Sequence, residues 1–224
     1  MTGFLEYELG PGVRAFTAGR DVELPYAVVQ PHQTHSTNVA RVNRPDLTRE
    51  NFDGVDALVT DLPGVAIGVR TADCIPVLLY DPVHRAVGAV HSGWRGTVNM
   101  IVKKTVLEMF RLFGSRPEDI RAVIGPGIGY DSFQVGEEVA LAFKESGFPI
   151  DRVWSFRGAR REGTMEGGHH IDLKECVRFS LEECGVKPGN ISVSDIDTYT
   201  DGRFFSARRE GISCGRNINA IMLI

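Results

Sequence analysis

Hydrophobic residues recur every three or four positions in three segments of the chain, which is the spacing of an amphipathic helix. These segments are 98–113, 136–146 and 172–184, and a glycine suited to a left-handed helix end follows each one, at Gly114, Gly147 and Gly185. Asp172 can cap the third segment, with Glu175 at the capping-box position. The pattern therefore predicts three main helices.

Short runs rich in β-branched and aromatic residues surround these helices. We assign strands to ten runs: 26–29, 55–60, 65–70, 75–80, 86–91, 122–124, 153–156, 191–193, 204–207 and 218–224. Pro76 disfavours a central position for the fourth run or marks its first residue. No regular strand–helix alternation and no linker is present, so we predict a single compact α+β domain over 1–224, with helices packed on mixed β-sheets.

Composition narrows the class of protein. The chain has 224 residues, 42% of them hydrophobic, and a formal net charge of −4. Such a chain buries a full hydrophobic core, and its charge disfavours binding to nucleic acid, which usually requires a basic face. We therefore expect a protein that acts on a small molecule.

The cysteines and the N-terminal residues indicate the cellular compartment of the protein. The four cysteines form no CxxC pair, so a disulfide framework is not expected. Residues 1–8 lack the basic start and apolar stretch of a signal peptide, and no run approaches 18 apolar residues. We expect a cytoplasmic protein without a membrane span.

Three separate segments, 31–36, 71–76 and 91–96, place a histidine or cysteine beside small, turn-forming residues. Cys74, His91 and one of His32 and His35 would supply three zinc ligands and leave a fourth position for water or substrate. Residues three apart point to opposite faces of a strand, so only one of the two histidines is expected to bind. Each residue also has an ordinary interpretation, Cys74 in the core and the histidines on the surface.

Other residues suggest ligand contacts. The Arg95 guanidinium can hold a phosphate or carboxylate, and Trp94 can stack on a base or pack in the core. The backbone amides of the glycine-rich segment 125–129 could approach an anion, but we prefer a simple turn. The segment does not fit a nucleotide fingerprint, because the third glycine would fall at Tyr130. Further polar candidates are interpreted as solvated or loop residues: His84, His169, His170, Arg203, Arg208, Arg209 and Arg216. The His169–His170 pair, which follows two glycines, could also line a pocket.

Six segments together resemble the purine nucleoside phosphorylase family formerly called polyphenol oxidase or laccase-domain proteins, also known as the peptidoglycan editing factor family. They are 33–36, 56–60, 71–79, 91–96, 124–128 and 204–206. The resemblance implies one zinc per chain, held by His35, Cys74 and His91, and so selects His35 over His32. It also implies conversion of adenosine, inosine, guanosine or methylthioadenosine, with phosphate as co-substrate, to base and ribose 1-phosphate, with adenosine deamination as a side activity.

In this interpretation His35, Cys74, His91 and Asp73 are catalytic, with Asp73 orienting groups or moving a proton, and Arg95, Trp94 and Gln33 bind substrate. The chain departs from the family pattern in four places, one of which is the absence of an Asn-Arg segment that usually follows the N-terminal motif. Its N-terminal motif is reduced to 17–20, Asp197 replaces a common cysteine, and Ala207 replaces an aromatic residue. We expect the metal ligands to be retained and the wall facing the substrate to be altered.

Two other functions fit the same residues. Cys74 could act as a nucleophile with His91 or His35 as its base, in a hydrolase of cell-wall (peptidoglycan) precursors. Alternatively, the chain could be a non-catalytic partner protein whose site is vestigial. A blue multicopper oxidase needs about ten histidines, and only six are present, so that mechanism is excluded.

Overall fold

The computed structural model describes residues 3–157 and 167–224 as a mixed α+β fold, which confirms the predicted class; Met1 and Thr2 lie outside it. The strands are β1 (Phe4–Glu6), β2 (Val13–Ala18), β3 (Val39–Arg41), β4 (Ala57–Thr60), β5 (Ile67–Thr71), β6 (Ile75–Asp81), β7 (Ala86–Ser92), β8 (Arg121–Ile124), β9 (Gln134–Val135), β10 (Trp154–Arg157), β11 (Gly168–Ile171), β12 (Ile191–Val193) and β13 (Asn217–Leu223). The α-helices are α1 (Trp94–Val98), α2 (Ile101–Phe113), α3 (Glu137–Glu145), α4 (Ile150–Val153), α5 (Leu173–Glu183) and α6 (Ala207–Glu210), and 3-10 turns lie at Arg49–Asn51, Pro117–Asp119 and Pro188–Asn190.

A six-stranded sheet with the order β12-β8-β6-β7-β4-β3 forms the centre of the molecule. Its two middle strands, β6 and β7, are antiparallel and buried along all seven residues of each. Alternation along β6 divides the core. Ile75, Val77 and Leu79 pack with the helices, whereas Leu78 and Tyr80 pack with residues of a four-stranded sheet, β1-β2-β13-β5. The central sheet is therefore covered on both faces, as its continuous apolar runs require.

The three predicted helices are α2, α3 and α5. Asp172 caps α5, since its side chain accepts a hydrogen bond from Glu175 N at 3.0 Å. The prediction for α2 is wrong at its start, which lies at Ile101 and not at residue 98. Met100 has a left-handed backbone (φ 61°) and separates α1 from α2, a break that side-chain periodicity does not reveal.

Eight of the ten predicted strands are present with small shifts at their ends. The segment 26–29 is not a strand, because only Val29 forms an isolated bridge. The segment 204–207 is also not a strand: Ser206 caps the short helix α6 by accepting from Arg209 N. Pro76 is the second residue of a central strand, not its first or an edge residue, and pairing with β8 begins only at Val77. Five strands were not predicted from the sequence: β1, β2, β3, β9 and β11.

The topology brings three chain reversals to one end of the two main sheets. The turn between β5 and β6 joins the four-stranded sheet to the central sheet, and β7 ends beside it, since Ser92 pairs with Ile75. The segment 32–38 returns to the same place because its backbone bonds to residues 52 and 56. Within the described residues, no helix has both the length and the apolar character needed to cross a membrane.

Candidate metal centre and its cleft

His35, Cys74 and His91 meet at this end of the sheets. Their ligand atoms all lie within 4.8 Å of one another, and Cys74 Sγ is 3.8 Å from His35 Nε2. Among residues 3–157 and 167–224 this is the single group of three or more such side chains arranged for a metal ion. His35 is exposed, Cys74 is partly exposed and His91 is buried, so the group lies at the floor of a depression that opens to solvent.

Local backbone geometry positions two of these ligands. His35 has a left-handed backbone (φ 60°), and so does Asp73 (φ 86°), which immediately precedes Cys74. Each such conformation costs about 1–2 kcal/mol for a residue with a Cβ. Strain of this kind persists where surrounding contacts hold it, and it is typical of functional sites.

Asp56 supplies the contacts that hold His35 and His91. Its buried carboxylate accepts backbone hydrogen bonds from Thr34, His35 and Ser36 at 2.7–3.1 Å, and its Oδ1 lies 2.7 Å from His91 Nδ1. The carboxylate therefore keeps a proton on Nδ1 and leaves Nε2 of His91 as the ligand nitrogen. No role for Asp56 was predicted, although Asp56 begins the segment 56–60 that carries part of the family resemblance.

The electrostatics of the site favour a thiolate. Desolvation raises the pKa of the Cys74 thiol, but the charge of His91 and hydrogen bonds from both histidines outweigh it and lower the pKa to about 6. Desolvation lowers the pKa of His91, but Cys74 and Asp56 outweigh it and raise the pKa to about 9. The pKa of Asp56 falls to about 2, since the bonds from His91 and Ser36 exceed its own desolvation. Cys74 is thus ready to bind a cation or attack an electrophile.

The space around the ligands fits a zinc ion. In a tetrahedral site, donor atoms bound at about 2.0–2.3 Å lie roughly 3.3–3.6 Å apart, close to the 3.8 Å between Cys74 Sγ and His35 Nε2. Gly93 leaves this space open, because a Cβ there would lie 2.9 Å from His35 Cδ2 and 3.0 Å from Cys74 Sγ. One thiolate and two imidazoles form a donor set that suits zinc.

The ligands open into a cleft of about 570 Å³. Three arginines line the cleft together with the ligands: Arg49, Arg70 and Arg216. The sequence did not connect these arginines with the site. Ala207 also lines the cleft, so the departure from an aromatic residue falls on the wall, as expected. Asp197 instead accepts hydrogen bonds from Gly129 N and Ser132 Oγ, and supports the neighbouring loop.

Of the other predicted site residues, Gln33 lines the cleft, whereas Asp73, Trp94 and Arg95 do not. The Gln33 amide, however, bonds to both N and O of Arg70 at 2.8 Å. Asp73 accepts from Thr198 Oγ1 and Arg208 N at 2.7 Å each, so its oxygens hold the 198–208 segment. Arg95 is exposed and stacks on Trp94, 4.4 Å from the ring centroid, and neither lines the cleft. Substrate binding by Arg95, Trp94 and Gln33 stays a prediction.

The remaining candidates have structural partners. His32 binds Asp53 and His84 binds Asp81, through Nδ1 in each case. His169 stacks on Trp154, and His170 Nδ1 lies 3.2 Å from Tyr130 O. The prediction of a turn at the glycines of 125–129 is wrong: Gly127 forms an isolated bridge with Asp197, Ile128 N bonds to Asp73 O, and the turn begins only at Tyr130. Of the four C-terminal arginines, Arg203 and Arg209 form ion pairs and Arg216 lines the cleft.

The fold and the site together define an α+β protein with a His–Cys–His centre in an arginine-lined cleft. A family model described as multi-copper polyphenol oxidoreductase laccase matches residues 14–224, and the chain belongs to this laccase-domain family.

Proteins of known name resemble the chain over most of its length. A purine nucleoside phosphorylase of Bacteroides thetaiotaomicron is 44% identical over 208 residues, covering 90% of this chain and 75% of that protein. Adenosine deaminase RL5, from an unknown prokaryotic organism, is 42% identical over 201 residues and covers 87% and 74%. The crystal structure of the hypothetical protein YfiH of Bacillus licheniformis superposes with a TM-score of 0.82 at 28% identity, covering 95% of this chain and 93% of that one.

Proposed function

We propose that the chain is a zinc-dependent purine nucleoside phosphorylase, which converts a purine nucleoside and phosphate to base and ribose 1-phosphate. Adenosine deamination is a side activity in this proposal, and residues 1–224 act as one catalytic domain in the cytoplasm. The observation that carries it is the convergence of His35, Cys74 and His91 in a cleft lined by arginines. The names of the relatives support nucleosides as the substrate class.

His35, Cys74 and His91 would hold the zinc ion. When bound, zinc supplies a Lewis acid at the floor of the cleft. Asp56 fixes the tautomer and direction of His91 through the 2.7 Å bond to Nδ1. Gln33 holds the backbone of Arg70 against the cleft. Asp73 holds the segment that carries Ala207, which makes Asp73 a positioning residue in this proposal.

The proposed function is tested by product analysis. Pure protein is incubated with adenosine, inosine, guanosine or methylthioadenosine, with and without phosphate, and the products are resolved by chromatography. We expect free base and ribose 1-phosphate that depend on phosphate and are absent with Cys74→Ala. Cys184→Ala is the matched control, because Cys184 lies at the end of α5, outside the cleft. Wild-type protein that releases no base or inosine above the Cys74→Ala level would rule out the proposal.

The lowered pKa of Cys74 favours one second candidate, the Cys–His hydrolase of cell-wall precursors. A thiolate beside a protonated imidazole is the activated pair of cysteine nucleophiles. Elemental analysis separates the two functions. About one zinc per chain that is lost in Cys74→Ala supports the phosphorylase. Active, metal-free protein that iodoacetamide inactivates at Cys74 supports the hydrolase.

A further inference from the structure

Three arginines reach the cleft from distant parts of the sequence. Arg70 is near the end of β5, and Arg216 directly precedes β13, the strand paired with β5, where Asn217 lies opposite Thr71. Arg49 begins the 3-10 turn Arg49–Asn51, which approaches the cleft because Phe52 O accepts from His32 N. The tertiary fold thus gathers three positive charges on the wall of a single cleft.

These charges lack acidic partners. Among residues 3–157 and 167–224, neither Arg49, Arg70 nor Arg216 forms an ion pair with a carboxylate, whereas the arginines next to them in the C-terminal segment, Arg203 and Arg209, both do. Arg216 donates to carbonyls of its own loop, including Ile212 O at 2.8 Å.

The charges of Arg49 and Arg216 both act on the guanidinium of Arg70. Burial lowers the pKa of Arg70, and the charges of Arg49 and Arg216 lower it further. Arginine remains charged in proteins, so this repulsion persists in the folded state. Guanidinium groups of like charge that line one cleft are stabilised by an anion that accepts hydrogen bonds from several of them.

We propose that Arg49, Arg70 and Arg216 form an oxyanion subsite that binds inorganic phosphate beside the His35–Cys74–His91 centre. This assignment rests on the proposed function, for which it names the phosphate site. Phosphate has the tetrahedral set of charged oxygens that guanidinium forks match. The nucleoside then occupies the rest of the cleft, and phosphate is held before its oxygen attacks the ribose carbon and the base leaves.

Binding of inorganic phosphate, measured by ³¹P NMR line broadening, tests the subsite without relying on turnover. The variants are Arg70→Gln and the double variant Arg49→Gln/Arg70→Gln. Within the described residues neither side chain donates a hydrogen bond to the protein, and the bonds of Arg70 to Gln33 use its backbone, so the changes remove charge without removing a side-chain hydrogen bond. Arg116→Gln is the control, since it makes the same change of charge at an exposed arginine outside the cleft.

We expect the Kd for phosphate to rise about tenfold in Arg70→Gln and further in the double variant. In steady-state assays KM for phosphate should rise similarly, with KM for the nucleoside nearly unchanged. Circular dichroism melts check that each variant is folded. The Arg116→Gln protein should match the wild type.

The outcomes separate the subsite from the proposed function. Phosphate that binds folded wild-type and double-variant protein equally well overturns the subsite, even if phosphorolysis is observed. Phosphate that binds in an Arg70-dependent way to a protein without phosphorylase activity supports the subsite and removes the proposed function. Arg70-dependent binding of adenosine monophosphate without binding of inorganic phosphate would overturn the assignment to free phosphate.

Discussion

Replacement of Asp56 by asparagine tests how the centre is built. The change keeps the size of the side chain but removes its charge, and it presents an NH₂ group where the carboxylate accepts from Thr34 N and Ser36 N at 3.1 and 2.7 Å. It also weakens the bond that orients His91. We therefore expect losses in both stability and metal affinity.

The magnitude follows from the pKa of Asp56, which is lowered from 3.8 to about 2 in the folded protein. A shift of this size corresponds to about 2 kcal/mol of unfolding free energy. Because the folded-state pKa is below the unfolded one, this stabilisation is fully present above about pH 4 and is lost as the pH falls through about 2. Loss of a carboxylate that orients a ligand histidine typically lowers metal affinity by about 10–100-fold.

Urea denaturation of the metal-free proteins between pH 2 and 7 measures the first effect, and competition with a chromogenic zinc chelator measures the second. Asp53→Asn is the matched control, because Asp53 also binds a histidine Nδ1, that of His32, but its side chain is 81% exposed. Zinc affinity in Asp56→Asn equal to that of the wild type would refute the role given to Asp56. A stability loss that does not shrink below pH 4 would refute the electrostatic reasoning.

Three further predictions concern the support of the site and the core. Gly93→Ala places a Cβ 2.9 Å from His35 and should lower zinc affinity about tenfold or more in the chelator assay, while Gly189→Ala, with no atom within 4 Å, should not. Asp73→Asn loses acceptors for the 198–208 segment and should lower the free energy of unfolding, measured by urea denaturation, by about 1–3 kcal/mol. An unchanged shape of the profile of kcat against pH would support a positioning role for Asp73, and loss of one limb of that profile would contradict it. Met109→Ala, fully buried on α2, should lower unfolding free energy by about 2–5 kcal/mol with zinc affinity unchanged; a smaller loss would mean that the core closes around the cavity.

Local sequence determined the parts of this protein that depend on local interactions. The three main helices follow from apolar spacing, and the cap at Asp172 follows from its own side chain. The apolar runs predicted β6 and β7 as strands, but the central position of β6 was not predicted, because Pro76 lies within it. The residue types at His35, Cys74 and His91 identified candidate ligands before any geometry was known.

Tertiary structure decided everything that depends on distant residues meeting. Met100 interrupts a regular apolar pattern through its backbone conformation, and the segment 204–207 turns into the start of α6, whose Arg208 N binds Asp73. Asp56 acquires its role only because residues 34–36 and His91 surround its carboxylate. Arg49, Arg70 and Arg216 have no common motif. They line the same cleft because of long-range strand pairing and loop contacts, which the pattern of residues along the sequence does not reveal.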